Sequence, residues 1–318
     1  MKVLRHIPFG PLHIPSAVAA IGVFDGVHRG HRAILRKAVQ RAQAVGGKAV
    51  AITFDPHPLW VLRPTHRLSL LIGLEERLRR LAKCGIAWTW VIPFTRSFSH
   101  LSPKEFVQRF LVERLKVREV VVGSDFRFGW GRSGSVETLI QLGRRYGFAT
   151  HAVLPQIQGG SKLSSDRIRR WIAQGKLDDA RKALGAPVTV MGRVVAGDKR
   201  GRRLGFPTAN LEIDVGVCPP RGVYAVWVRV GKSRRWHPGM ANIGFRPTVL
   251  KRSHSAQPTV EVHLFDVKRS LYGKRLEVAW MAWLRAERRF PHMKALQRRL
   301  IQDAILAKRV LKKPPSLR

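Results

Sequence analysis

Two histidines, His28 and His31, lie three residues apart in the run IGVFDGVHRGHRAIL, where a β-rich stretch gives way to a helical one. At that spacing their imidazoles can point the same way. A helix N-terminus there adds free N–H groups and the positive end of a dipole, which suits phosphate. Gly22, Gly26 and Gly30 permit close backbone approach and positive φ. A second candidate is LSSDRIRRWI, where Ser164 and Ser165 offer hydroxyls and Arg169 can grip phosphate oxygens in a bidentate fashion. Taken alone, that run is a plain helix cap; paired with the histidines in one domain, it becomes the second half of a triphosphate site. In VVGSDFRFGWGRSG, Asp125, Phe126 and Phe128 offer a carboxylate and aromatic faces to a planar ring, though either Phe alone equally suits a core. His57 in FDPHP reads as structural just as readily.

The second half of the chain carries a different set. DKRGRRLGFPTANLEI supplies Gly201 and Gly205 for a cradle, then Thr208 and Asn210, which share a face in extended backbone. Their oxygens are hard ligands of the kind Mg²⁺ takes while holding ATP phosphates. The Walker A ending is absent, and spacing alone favours an ordinary turn before a strand. In TVEVHLFDV, Glu261, His263 and Phe265 alternate with Val260, Val262 and Leu264. Glu261 therefore leaves the apolar face for solvent or for a site, where a carboxylate can act as general base.

The elements that must position these groups fall into two rhythms. Strands are expected at 17–24, 48–54, 88–92, 119–123 and 150–154, with helices at 31–45, 74–84, 103–115, 136–146 and 165–184. This βαβ alternation calls for a parallel sheet, a Rossmann-like α/β domain with ligands at the carboxyl ends of its strands. Beyond 184, short β runs follow one another at 188–195, 208–213, 223–230, 241–243, 259–265 and 276–283. They imply an antiparallel sheet or small closed barrel, followed by one helix at 293–310. The expected fold class is thus α/β plus β, with domains at 1–185 and 186–310 and a basic tail at 311–318.

Composition bounds the function. At 318 residues with 45% apolar content, two domains with ordinary cores are expected. No apolar run reaches the ~20 residues of a membrane span, and the N-terminus lacks a signal-peptide pattern. Cys84 and Cys218 stand apart with no CxxC spacing, so each reads as a buried thiol, in keeping with the reducing cytoplasm. The formal charge of +39 invites a nucleic-acid reading, but it is spread evenly. Residues 1–186 hold 31 Lys/Arg against 12 Asp/Glu, and the remainder 28 against 8. No specific nucleic acid and no membrane are therefore expected as partners, and oligomerisation stays open.

The HxGH spacing after a first strand resembles that of the nucleotidyltransferase superfamily. Taken together, GVFDGVHRGH, FDPHP, VGSDFRFG, LSSDRIR, GRVVAGDKRGRRLGFPTANL, RGVYAVWV, NIGFRPTV, EVHLFDVKRSLYGK and LRAERRF resemble, in order, the bacterial bifunctional riboflavin kinase/FAD synthetase family. The resemblance implies an N-terminal nucleotidyltransferase domain and a C-terminal riboflavin kinase barrel with a terminal helix. It implies riboflavin, FMN and ATP as partners and Mg²⁺ as cofactor. Glu261 would be the kinase base, with Thr208 and Asn210 on Mg–ATP beside Gly201 and Gly205, and Arg285 near the flavin. His28 and His31 would stabilise the triphosphate of the second ATP, with Gly22, Phe24, Gly30, Ser164, Ser165 and Arg169 around it. Asp125, Phe126 and Phe128 would face the flavin. Asp166 stands where the family has Thr, and Ala186, Val188 and Ala286 also depart from the pattern. Two alternatives stay open: a kinase whose adenylyltransferase half is impaired by Asp166, and a basic RNA-binding protein on this scaffold.

Overall fold

A computed structural model describes every residue except 66–67, 198–200, 202–203, 234, 246–257, 266, 268–269 and 316–318. The basic loop expected to cradle phosphate, the end of the NIGFRPTV run and the tip of the tail thus fall largely outside the described residues. The chain divides into two compact units.

The first unit, residues 1–68 and 73–164, is built on a six-stranded parallel sheet. Its strands are β1 (Lys2–Leu4), β2 (Val18–Ile21), β3 (Ala49–Asp55), β4 (Trp88–Pro93), β5 (Glu119–Gly123) and β6 (Ala149–Val153), and a separate two-stranded ribbon, β7 (Ile157–Gln158) and β8 (Ser161–Lys162), follows them. They lie in the order β1-β4-β3-β2-β5-β6, so the chain steps outward from β2 on one side and returns through β5 on the other. The gap beyond the carboxyl ends of β2 and β5 is therefore a switch point, the place where open α/β sheets bind ligands. The main covering helices are α1 (Arg29–Ala44), α2 (Pro58–Leu62), α3 (Leu74–Lys83), α4 (Arg96–Ser99), α5 (Pro103–Phe106, prolonged as π-helix over Val107–Arg114) and α6 (Val136–Tyr146). Local sequence sets their ends. Ser102 and Glu105 form a capping box before Pro103, Ser135 and Thr138 another, and Gly147 closes α6 in the left-handed conformation. A core of Val, Ile, Leu and Phe side chains, with Trp90 buried among them, holds helices to sheet.

The second unit, residues 69–72 and 165–318, opens with α7 (Ser165–Ala173) and α8 (Leu177–Leu184). One helix over 165–184 was expected; the pattern is broken by Gly175 at φ 77°, a conformation that ends a helix. A closed antiparallel barrel follows: β9 (Val188–Val195), β10 (Ala209–Val215), β11 (Gly222–Val230), β12 (Trp236–Phe245), β13 (Pro258–Leu264) and β14 (Arg275–Arg285), in the order β10-β13-β12-β11-β14-β9. Alternation sends Val190, Leu211, Val226, Ile243, Val262 and Val278 inward, each at most 5% exposed. The opposite face of β11, β12 and β14 is covered by the terminal helix α9 (Met293–Val310), through Ala225, Trp227, Met240, Ala279, Ala307 and Leu311. Both cysteines are free and half-buried rather than fully buried, and burial pushes the Cys218 thiol up to about 12.

Candidate active sites

In the first unit the loop from β2 into α1 is wound tightly. Phe24, Gly26 and Val27 have φ of 54°, 85° and 44°. Gly26 is the one of the three expected glycines that uses left-handed freedom. Gly22 and Gly30 serve space instead: a Cβ on Gly30 would lie 3.1 Å from the His28 ring, and one on Gly22 3.1 Å from the Phe24 ring. Phe24 itself is fully buried and anchors the loop.

His28 caps α1, its Nδ1 accepting the His31 backbone N–H at 3.3 Å. That bond assigns the His28 proton to Nε2, leaving Nε2–H as a donor at the far edge of the ring. The two imidazoles stack at 3.7 Å with an 18° interplanar angle, and Phe24 meets His31 edge-on at 5.4 Å. Burial, then the neighbouring His28, then Arg77 hold the His31 imidazole well below the ordinary value, so it is neutral near pH 7.

The loop carbonyls are tied down from outside. Arg32 Nε donates to Val27 O at 3.0 Å, Arg80 Nη1 to Gly26 O at 3.0 Å, and Thr53 Oγ1 to Val23 O at 2.9 Å. Sequence reasoning missed all three, because an arginine in an amphipathic helix looks like solvated charge and a threonine suits any strand.

The other strand-end loops sort differently. His57 caps α2 by accepting the Leu59 N–H at 3.1 Å and is 7% exposed, a structural place. Beyond β5, Phe128 is 8% exposed and belongs to the core, with Phe126 stacked on it at 5.5 Å. Of the pair, Phe126 keeps the more accessible ring. Asp125 is exposed and ion-paired with Lys162.

Ser164 ends the first unit's segment and Ser165 opens α7 in the second. Arg169 donates to Ser69 O at 2.8 Å through Nε and to Asp166 Oδ1 at 2.5 Å through Nη1. Asp166 is thus an exposed carboxylate already engaged by an arginine of its own helix.

In the barrel, cross-strand register aligns the polar residues. Asn210 on β10 stands opposite Glu261 on β13, and Glu261 stands opposite Asn242 on β12. The three form one row on the face away from the barrel interior, since Val260 and Val262 on either side of Glu261 are 1% exposed. Register sets Glu261 between Asn210 and Asn242. Asn242 Nδ2 donates to Glu287 Oε1 at 3.2 Å, and neither residue was singled out from sequence. The Asn210 amide lies against Gly197, where a Cβ would come within 1.9 Å of its nitrogen. Thr208 sits just before β10, and Gly205 turns the preceding loop at φ 80°. A Cβ on Gly201 would lie 2.3 Å from the Phe206 carbonyl oxygen, so the loop closes tightly there.

His263, two residues along from Glu261, donates from Nδ1 to Pro207 O at 2.8 Å and pins the loop that presents Thr208. Phe206, His263 and Phe265 form one wall of an open groove of about 300 Å³, with Ile301, Ile305 and Lys308 of α9 opposite. Arg285 is committed elsewhere: it pairs with Asp303 of α9 at 2.7 Å, and Arg299 approaches the same carboxylate at 3.0 Å. Among the described residues no cluster of three acidic, His or Cys side chains could hold a metal by itself.

Comparison with known proteins gives a consistent result. A family model described as FAD synthetase matches residues 12–167, and one described as riboflavin kinase matches residues 184–311. The chain is 38% identical over 293 residues to the bifunctional riboflavin kinase/FMN adenylyltransferase of Escherichia coli K12, covering 92% of each. To the protein of that name from Listeria monocytogenes it is 39% identical, covering 91% of this chain and 90% of the relative. A crystal structure described as a macrolide-efflux protein from Streptococcus pneumoniae superposes with a TM-score of 0.83 at 29% identity, over 96% of this chain and 98% of that one. Among the described residues no helix is long and apolar enough to cross a membrane.

Proposed function

The chain belongs to the family of bifunctional riboflavin kinase/FMN adenylyltransferases, and from that premise we propose which of its residues do the work. It phosphorylates riboflavin to FMN and adenylylates FMN to FAD.

For the kinase, Glu261 is the base that takes the proton of the ribityl 5′-hydroxyl while that oxygen attacks the γ-phosphorus of ATP and ADP leaves. The observation that carries this is the row Asn210–Glu261–Asn242. Asn210 and Asn242 flank the carboxylate in cross-strand register, and a carboxylate so placed can act as general base. Thr208 and Asn210, with Gly201 and Gly205 in the loop before them, hold the ATP phosphates together with Mg²⁺. Their hard oxygens fit that ion, which needs few protein ligands when phosphates supply the others. Mg²⁺ there supplies charge neutralisation of the transferring phosphate. Arg285, held by Asp303, shapes the flavin side of this site.

For the adenylyltransferase, an FMN phosphate oxygen attacks the α-phosphorus of ATP and pyrophosphate leaves, with no covalent enzyme intermediate. His28 donates from Nε2–H, and neutral His31 stacks behind it, so the pair binds phosphate oxygens as hydrogen-bond donors held in place beforehand. Gly22, Phe24 and Gly30 shape the loop that carries them. Ser164, Ser165 and Arg169 bind the triphosphate, and Asp125, Phe126 and Phe128 serve the flavin, Phe128 by supporting Phe126. We place the functional boundary at residue 185, with 1–185 for adenylyl transfer, 186–310 for the kinase and 311–318 as a tail. In this reading the enzyme works in the cytoplasm and takes no specific nucleic acid as partner.

The test is a crossed pair of variants. His28→Ala loses FAD formation from supplied FMN and keeps FMN formation; Glu261→Gln does the reverse. Equal loss of both activities in either variant refutes the division of labour.

A further inference from the structure

Arg77 on α3 is fully buried, yet it is a cation. Its Nη1 donates to Phe54 O at 3.0 Å and lies 3.3 Å from Thr53 Oγ1, the hydroxyl that itself donates to Val23 O. Among the described residues, its Nε and Nη2 have no hydrogen-bond partner. Burying a charge is costly, and each unmet buried donor adds to that cost. Packing does not require this cost, since Leu78 and Leu81 already bury α3 and an apolar side chain at 77 would join them.

We propose that Arg77 is a positioning residue for adenylyl transfer: from α3 it braces the carboxyl ends of β2 and β3, and with them the His28–His31 pair, without itself touching substrate. The proposal rests on the assignment of that pair to adenylyl transfer. Arg77 fixes the end of β3 directly, at Phe54 and Thr53, and the loop after β2 through Thr53. One turn further along the same helix, Arg80 holds Gly26 O while it is paired with Glu76. Helix α3 thus holds the histidine loop at Val23, through Thr53, and directly at Gly26 within the left-handed turn.

Its charge has a second effect. The charged or titratable groups around it are Asp25 and Asp55, which favour the cation, and His31, whose protonation it opposes; His28 opposes it from the other side. Arg77 therefore helps to keep His31 a neutral donor.

The test measures FMN adenylylation and riboflavin phosphorylation in the full chain for wild type, Arg77→Lys, Arg77→Met and Thr53→Val across mildly acid to mildly alkaline pH. Arg77→Met should lower kcat for adenylylation by roughly 10–100-fold, with a smaller change in KM for ATP, because the cost is one of misplacement. Its acid limb should move to higher pH as His31 loses a positive neighbour. Arg77→Lys should recover most of the rate and return the limb. Thr53→Val should lower kcat by roughly 3–10-fold with the limb unmoved, since the charge stays. Phosphorylation of riboflavin should be unchanged throughout.

Wild-type rate and acid limb in Arg77→Met overturn the proposal. So do equal losses in the Lys and Met variants with an unmoved limb, the signature of a merely structural residue. If Arg77→Met does not fold its unit, Thr53→Val decides, and a wild-type rate there overturns the proposal. Absence of FAD formation in the wild type instead overturns the parent assignment.

Discussion

Replacing Asp303 with Asn should undock the end of α9 from β14. Asp303 has no exposed surface and answers two guanidiniums, those of Arg285 and Arg299, whose side chains are 13% and 25% exposed. Asn keeps the shape and removes the charge, leaving two largely buried cations facing each other. Breaking a buried pair by removing one partner costs about 3–5 kcal/mol. Because both arginines retain some contact with water, the lower end applies, about 3 kcal/mol. For a unit of this size each kcal/mol moves the midpoint by about 2–4 °C, giving a fall of roughly 6–12 °C. The assay is thermal inactivation of riboflavin phosphorylation, with adenylylation of supplied FMN followed in the same samples. The kinase midpoint should fall, and by more than the adenylylation midpoint. A kinase midpoint within about 2 °C of wild type would show that Asp303 is not the anchor, because that shift corresponds to less than about 1 kcal/mol.

Acidification should weaken the first unit through His31. Its folded-state pKa lies below the ordinary 6.5, so unfolding takes up a proton. That contribution to stability is present above about pH 6.5 and is lost as pH falls below it. The midpoint for loss of adenylylation should drop on acidification, and less steeply in His31→Asn; equal slopes would contradict the assignment. Asp166→Thr should change KM for ATP in adenylylation by less than about fivefold, because an exposed ion pair contributes about 0–1 kcal/mol. A wild-type enzyme inert in adenylylation but activated by this substitution would instead show that Asp166 disables the site.

What the sequence could reveal depended on whether the signal was local. Strands such as Glu119–Gly123 and helices such as Val136–Tyr146 were legible because periodicity and caps lie within them. The break at Gly175 was not, since apolar positions recur on both sides of it and a single Gly is tolerated in a helix. β12 was seen only as 241–243, because Pro238 and Gly239 read as a turn. In the barrel Gly239 is instead required, as a Cβ there would lie 2.4 Å from the His263 carbonyl oxygen. The spacing of His28 and His31 and the alternation around Glu261 are local signals that a sequence carries. Their supports are not: Arg77, Asn242, His263 and Asp303 acquire their roles only through residues distant in sequence. Arg285 shows the same limit, for its commitment to Asp303 is a tertiary fact.

The central claim is that one chain makes FMN and then adenylylates it. Purified protein given riboflavin, ATP and Mg²⁺, with flavins separated over time, should show FMN rising first and FAD following at its expense. FMN that accumulates without FAD contradicts the account of His28 and His31, and the absence of both products contradicts it entirely.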